Sequence, residues 1–156
     1  MPSSVTAELL KQLSIASETL NSASDKFNEQ IKVIEEALAT YNLGVPAWAT
    51  ACSIKENLFD DNGMPMGEFT RVITVGYERS NGKWSLMVAS WIAEFEDRQE
   101  WVLRDAPRER RMQAIAGIPN LLEKLIKEAN KLALEVSKKT IEARGLAASI
   151  SPRKGQ

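Results

Sequence analysis

Along the first quarter of the chain, apolar residues return every seven positions: Leu13, Leu20, Phe27, Ile34 and Tyr41. A companion ladder three residues earlier holds Leu10, Ser17, Ser24, Ile31 and Leu38. These are the d and a positions of a coiled-coil-like helix with one apolar seam. No glycine or proline interrupts residues 5–42, and Ser4 or Thr6 can cap the start. Asn42-Leu43-Gly44, with Pro46 just beyond, supplies the stop. At ~1.5 Å of rise per residue this helix is ~57 Å long, too long for a compact single-layer domain. Its seam needs cover from a second long helix or from a partner chain. Ser17 and Ser24 permit close helix approach but weaken the seam.

The period then changes from seven to two. Residues 47–54 read as a strand, with Trp48, Thr50, Cys52 and Ile54 on one face and alanines and Ser53 on the other. A loop is expected over residues 60–67, where Asn62-Gly63 and Pro65 are turn signals. Residues 68–79 and 83–95 form a hairpin closed by Asn81-Gly82, a pair suited to a two-residue turn with positive φ at both positions. The return strand is apolar on both faces, as in a strand lying between two covering layers or at an interface. Trp84 and Trp91 are seven apart on it and so point to opposite faces. Residues 99–104 read as a last strand, after a turn at Glu96-Asp97-Arg98.

Helical spacing returns after Asp105, expected as a cap, with Pro107 in the first turn. Gly117-Ile118-Pro119 breaks that helix, because the proline ring clashes with the carbonyl four residues back. A second stretch, residues 120–144, carries Leu122, Leu125, Ala129, Leu132, Val136 and Ala143 at three- and four-residue spacing, and Gly145 is expected to end it. The order predicts an α+β fold: a long N-terminal helix, a four-stranded antiparallel meander, and a broken long C-terminal helix packed with the first helix on one sheet face. An antiparallel hairpin of the two long helices would satisfy both seams. The expected organisation is one domain over residues 1–145 and a flexible tail over residues 146–156.

Charge adds an asymmetry that the net value of −1 conceals. Residues 1–66 carry 4 basic and 9 acidic groups, residues 67–105 carry 5 and 7, and residues 106–156 carry 11 and 5. Acidic and basic helices facing one another, within a chain or between two, account for this; a basic surface for a polyanion is the sharper alternative. No apolar run reaches the ~20 residues of a membrane-spanning helix, so no membrane partner is expected. The start of the chain lacks the pattern of a signal peptide, and lone Cys52 suits a reducing compartment, so a cytoplasmic location is expected.

The chain has no histidine and one cysteine. That removes the usual zinc sets and the histidine-based nucleophile pairs, and no phosphate-binding loop or dinucleotide fingerprint is present. No catalytic residue, cofactor or metal is assigned. Asp60-Asp61-Asn62-Gly63 resembles half of a calcium loop, but the twelfth position, where a glutamate is needed, holds Arg71. Glu94, Glu96, Asp97 and Glu100 flank a turn, with nothing to separate their pKa values into acid and base. Arg108, Arg110 and Arg111 sit just inside a helix N-terminus, against the dipole, and form a candidate anion- or partner-binding cluster; pairing with those upstream carboxylates is the plainer reading.

These observations lead to a protein-interaction module without enzymatic activity. Leu13, Leu20, Phe27, Ile34 and Tyr41, or a sheet face bearing Trp84 or Trp91, form its candidate interface, with a further copy of the chain or another protein as partner. A nucleic-acid binder using the arginine cluster, and a ligand pocket between sheet and helices, are the alternatives.

Overall fold

The computed structural model describes residues 3–151. Helix α1 spans Ser4–Thr40. Four strands follow: β1 (Ala47–Phe59), β2 (Pro65–Ser80), β3 (Lys83–Ile92) and β4 (Arg98–Val102). A 3-10 turn, Leu103–Asp105, leads into α2 (Arg108–Ile115) and α3 (Ile118–Ile150). The strands pair antiparallel in the order β1-β2-β3-β4, and the expected α+β meander with long helices at both ends is the observed architecture.

Local chemistry explains most boundaries. Ser3 caps α1, its hydroxyl accepting the Thr6 N–H at 3.2 Å; the cap therefore lies one residue before the earlier of the two expected ones. Asn42 (φ 48°) and Gly44 (φ 64°) turn the chain out of α1, and Asn81 (φ 51°) with Gly82 (φ 78°) close the β2–β3 hairpin as the Asn-Gly pair predicts. The first hairpin is longer than expected. β1 continues to Phe59, and residues expected in the loop, among them Pro65 and Gly67, already belong to β2. The tight connection is made by Asp60, whose carboxylate accepts the N–H groups of Asn62 and Met64, both at 2.9 Å.

Other expectations are corrected. β3 ends at Ile92, not Phe95, and Arg98 opens β4 instead of sitting in the turn. Asp105 lies inside the 3-10 turn and does not cap α2, whose N-cap position is Pro107 with no side-chain hydrogen bond. Gly145 does not end α3; the helix runs through it to Ile150, a single glycine costing only ~1 kcal/mol in a helix interior. Residues 152–156 of the expected tail lie outside the described residues.

One sheet face is packed by the helices. Ile73, Val75 and Tyr77 of β2, with Leu86 and Val88 of β3, meet Ile31 and Leu38 of α1, Leu103, Ala114 of α2, and Leu121 and Leu125 of α3 in one core. A bulge between Thr50 and Cys52 shifts the face of β1 halfway along: Ala49 pairs Val75 and Cys52 pairs Ile73 on the helix side, while Trp48 pairs Gly76 on the other. The alternation expected for residues 47–54 is split there, and Trp48 and Cys52 lie on opposite faces. Gly117, between α2 and α3, sits so close to β1 and β2 that a Cβ would come within 2.9 Å of Ala51 and 2.8 Å of Val75. The small residue thus sets the depth at which the helix break docks.

Candidate functional site

The two long helices do not form an antiparallel hairpin. Leu20 and Phe27 of α1 line a groove with Met112 and Ile115 of α2. Farther along, Leu38 and then Tyr41 line a second groove with Leu122, Leu125, Ile126 and Ala129 of α3. The lining residues advance in the same sequence direction on both sides, so α1 and the α2–α3 run flank these grooves in the same direction. Each then outruns the sheet. Every residue of 4–23 is exposed, and so is every residue of 130–150. Two helical arms of about 30 Å each leave the domain from opposite ends of the helical layer.

The α1 arm keeps its seam after leaving the core. Leu13 is 65% exposed and Leu20 49%, and they continue the line of Phe27 and Ile34, which are half-buried against the core. Tyr41, last of the ladder, is exposed beside the second groove. The α3 arm exposes Leu132, Leu134, Val136, Ile141, Leu146 and Ile150. The expected interface ladder is thus divided: Leu13 and Leu20 are free, and Phe27 and Ile34 serve the fold.

Two buried or half-buried polar residues fix α1 to the domain. Glu35 accepts the Leu86 N–H at 3.3 Å, one residue beyond the Met87–Val102 end of the β3–β4 ladder, and lies 3.9 Å from the Arg104 guanidinium. Asn28 accepts a hydrogen bond from Arg111. These contacts explain where the expected arginine cluster goes. Arg111 is only 9% exposed and is spent on α1; Arg108 is exposed at the rim of the α1–α2 groove; Arg110 bonds Gln113 at 2.8 Å. The three do not converge. Among the described residues none of them forms an ion pair with Glu94, Glu96, Asp97 or Glu100; Glu100 pairs with Arg98, and Glu94 accepts the Thr70 N–H.

The tryptophans divide between the faces. Trp84 stacks on Tyr77 at 5.5 Å on the helix side, packed against the core. Trp91 is on the opposite face, as the seven-residue separation predicts. There Arg98 lies between two rings, 4.8 Å from Trp48 and 5.0 Å from Trp91, and is held by Glu100 at 2.7 Å. Trp48 donates its indole N–H to Glu78 and lies flat over Gly76. This stack roofs Met87, Ala89 and Thr74, all buried on a face that no helix covers. The two-sided apolar character of β3 is answered by helices on one face and by its own Trp-Arg-Trp roof on the other. Trp48 stood out in the sequence as one of four strand tryptophans, but nothing there marked Arg98 as its partner.

Chemistry at Cys52 is disfavoured. Burial pushes its thiol above the usual range, against a smaller opposing pull from Arg110, so the thiolate is scarce. No cluster of three metal-ligating side chains occurs among the described residues, and no helix among them is long and apolar enough to cross a membrane. Comparison of the chain with protein-family models, curated proteins and solved structures produces no match to any of them.

Proposed function

We propose that this protein is a non-catalytic association module that binds further copies of itself through the exposed seams of its long helices. The supporting observation is the pair of arms. Each is a run of about 20 residues exposed along its whole length, and each carries large apolar residues. Helices in proteins gain most of their stability from packing an amphipathic face, not from propensity. Contiguous exposed apolar surface of this kind marks association sites. The absence of histidine, the protonated Cys52 thiol and the divergence of the three arginines favour binding over chemistry. A cytoplasmic location is part of the same reading and rests on the lone, unpaired cysteine.

Light scattering at low and at high salt tests it. A mass of two or more chains at both salts is expected, since the seams are apolar. A single-chain mass at both, at tens of micromolar protein, would overturn the reading.

A further inference from the structure

Resting on that reading, we infer that the partner surface for the α1 arm is the α1 arm of a second copy, packed antiparallel about a two-fold axis near residue 15. Three observations carry this.

The first is direction. The free part of the α1 seam is continuous with Ile31 and Leu38, which face the protein's own sheet. A helix lying on the seam must therefore stop where α2 and the sheet begin, near Phe27. A parallel partner would bring its own domain into that space. An antiparallel partner carries its domain to the far end, beyond the tip of the first arm, and contributes only a helix.

The second is charge. In the heptad set by Leu10 and Leu13, the positions flanking the seam are Ala7, Leu9, Ser14, Ala16, Asn21 and Ala23. None is charged. The charged residues of the arm, Glu8, Lys11 and Glu18, all fall on its outer face. Flanking charges ordinarily select or reject a partner helix, and here nothing repels an identical one.

The third is fit. With the axis near residue 15, Leu10 of one copy faces Leu20 of the other, Leu13 faces Ser17, and Thr6 faces Ser24. Ser17, which weakens the seam of a lone helix, becomes the small partner of Leu13 in a facing layer, while Ser24 meets another small hydroxyl residue. The tip of each arm then arrives at the α1–α2 groove of the other copy. That groove holds about 440 Å³, is lined by Phe27, Met112 and Ile115, and has Arg108 at its rim. The contact is isologous and closes at two copies.

The test combines mass with interchain distance on the full chain. Wild type is expected at two chains at 50 μM (roughly the range where a micromolar dimer is filled). L13E/L20E should weaken association by roughly 100-fold or more, with unchanged helical circular dichroism in the domain. V136E/I150E, on the α3 arm, should leave the mass at two. Spin labels at Ser4→Cys or Glu18→Cys in a Cys52→Ser background then report direction. Antiparallel packing gives an axial offset of ~33 Å between the two residue-4 labels and ~9 Å between the residue-18 labels. A single-chain wild type would overturn the association reading itself. A two-chain mass that L13E/L20E leaves intact, or that V136E/I150E abolishes, would remove the α1 assignment alone. Short distances at both label positions would remove the antiparallel arrangement.

Discussion

At the scale of single residues, the tightest constraint is Gly76. A Cβ there would lie 2.3 Å from the Trp48 ring, which is itself tied to Glu78 and stacked on Arg98. Gly76→Ala must lift the indole and disturb the roof, and a loss of about 1–3 kcal/mol in urea unfolding is expected, the range for overpacking. Tyr77 gives a second, pH-dependent prediction. Burial first, and the nearby Glu35 carboxylate second, raise its phenol above the ordinary value of 10.0. The folded state therefore holds the proton that the unfolded chain releases. The resulting stability is complete below pH 10 and falls as pH rises from there through the folded-state value. Measured from pH 8 to 11, wild type should lose stability more steeply than Tyr77→Phe; equal slopes would deny the coupling. Some of this was legible in the sequence: seven-residue spacing put Trp84 and Trp91 on opposite faces. The contacts of Glu35, Arg111 and Trp48 were not. A carboxylate that meets a strand N–H, an arginine that meets an asparagine on another helix, and a tryptophan turned by a bulge all depend on long-range placement, for which the local pattern carries no signal.

At the scale of elements, the local pattern located each α-helix and strand among the described residues but not the 3-10 turn, and their ends were read less well. The asparagine-glycine turn, the stop after α1 and the break at Gly117-Ile118-Pro119 have local causes and appear as expected. Gly145 failed as a boundary marker because the helix formers around it outweigh one weak local preference, and Asp105 because a 3-10 turn anchored by buried Leu103 precedes α2. The sheet shows the same contrast. β4 is short, and β3 alone hydrogen-bonds to it. Its hold on the sheet is reinforced by Arg98 reaching across to Trp91 and Trp48. Arg98→Ala removes two cation–π contacts and a surface ion pair that adds little, so a loss of about 1–2 kcal/mol is expected. Arg98→Lys keeps the charge but not the planar stack, and its stability should fall between those of wild type and Arg98→Ala. Tryptophan fluorescence should move to the red in both, as Met87, Ala89 and the rings gain water. An unchanged spectrum in Arg98→Ala would mean that the roof stands without its cation.

At the scale of the whole molecule, the sequence called for cover over a seam too long for one domain, and its simplest answer, a hairpin of the two long helices, is not the one adopted. The helices run in the same direction, and each exceeds the sheet at a different end. Half of each seam is consequently used internally and half is presented outward. The charge asymmetry that suggested facing acidic and basic helices now has a different consequence. The α1 arm carries its three charges on the outer face, and so the contact inferred for it is almost purely apolar. An apolar contact responds to salt differently from an ionic one: screening has nothing to weaken, and excluded salts strengthen burial. The dimer dissociation constant should therefore change by less than about threefold between 0.05 and 0.5 M sodium chloride, and should fall in sodium sulfate. The melting temperature should also rise with protein concentration, because only the folded chain presents the seam. Dissociation that grows steeply with sodium chloride would place the association on the basic α3 arm or the arginines instead. A melting temperature that is constant over a hundredfold range of concentration would show that the arms contribute nothing to holding the fold.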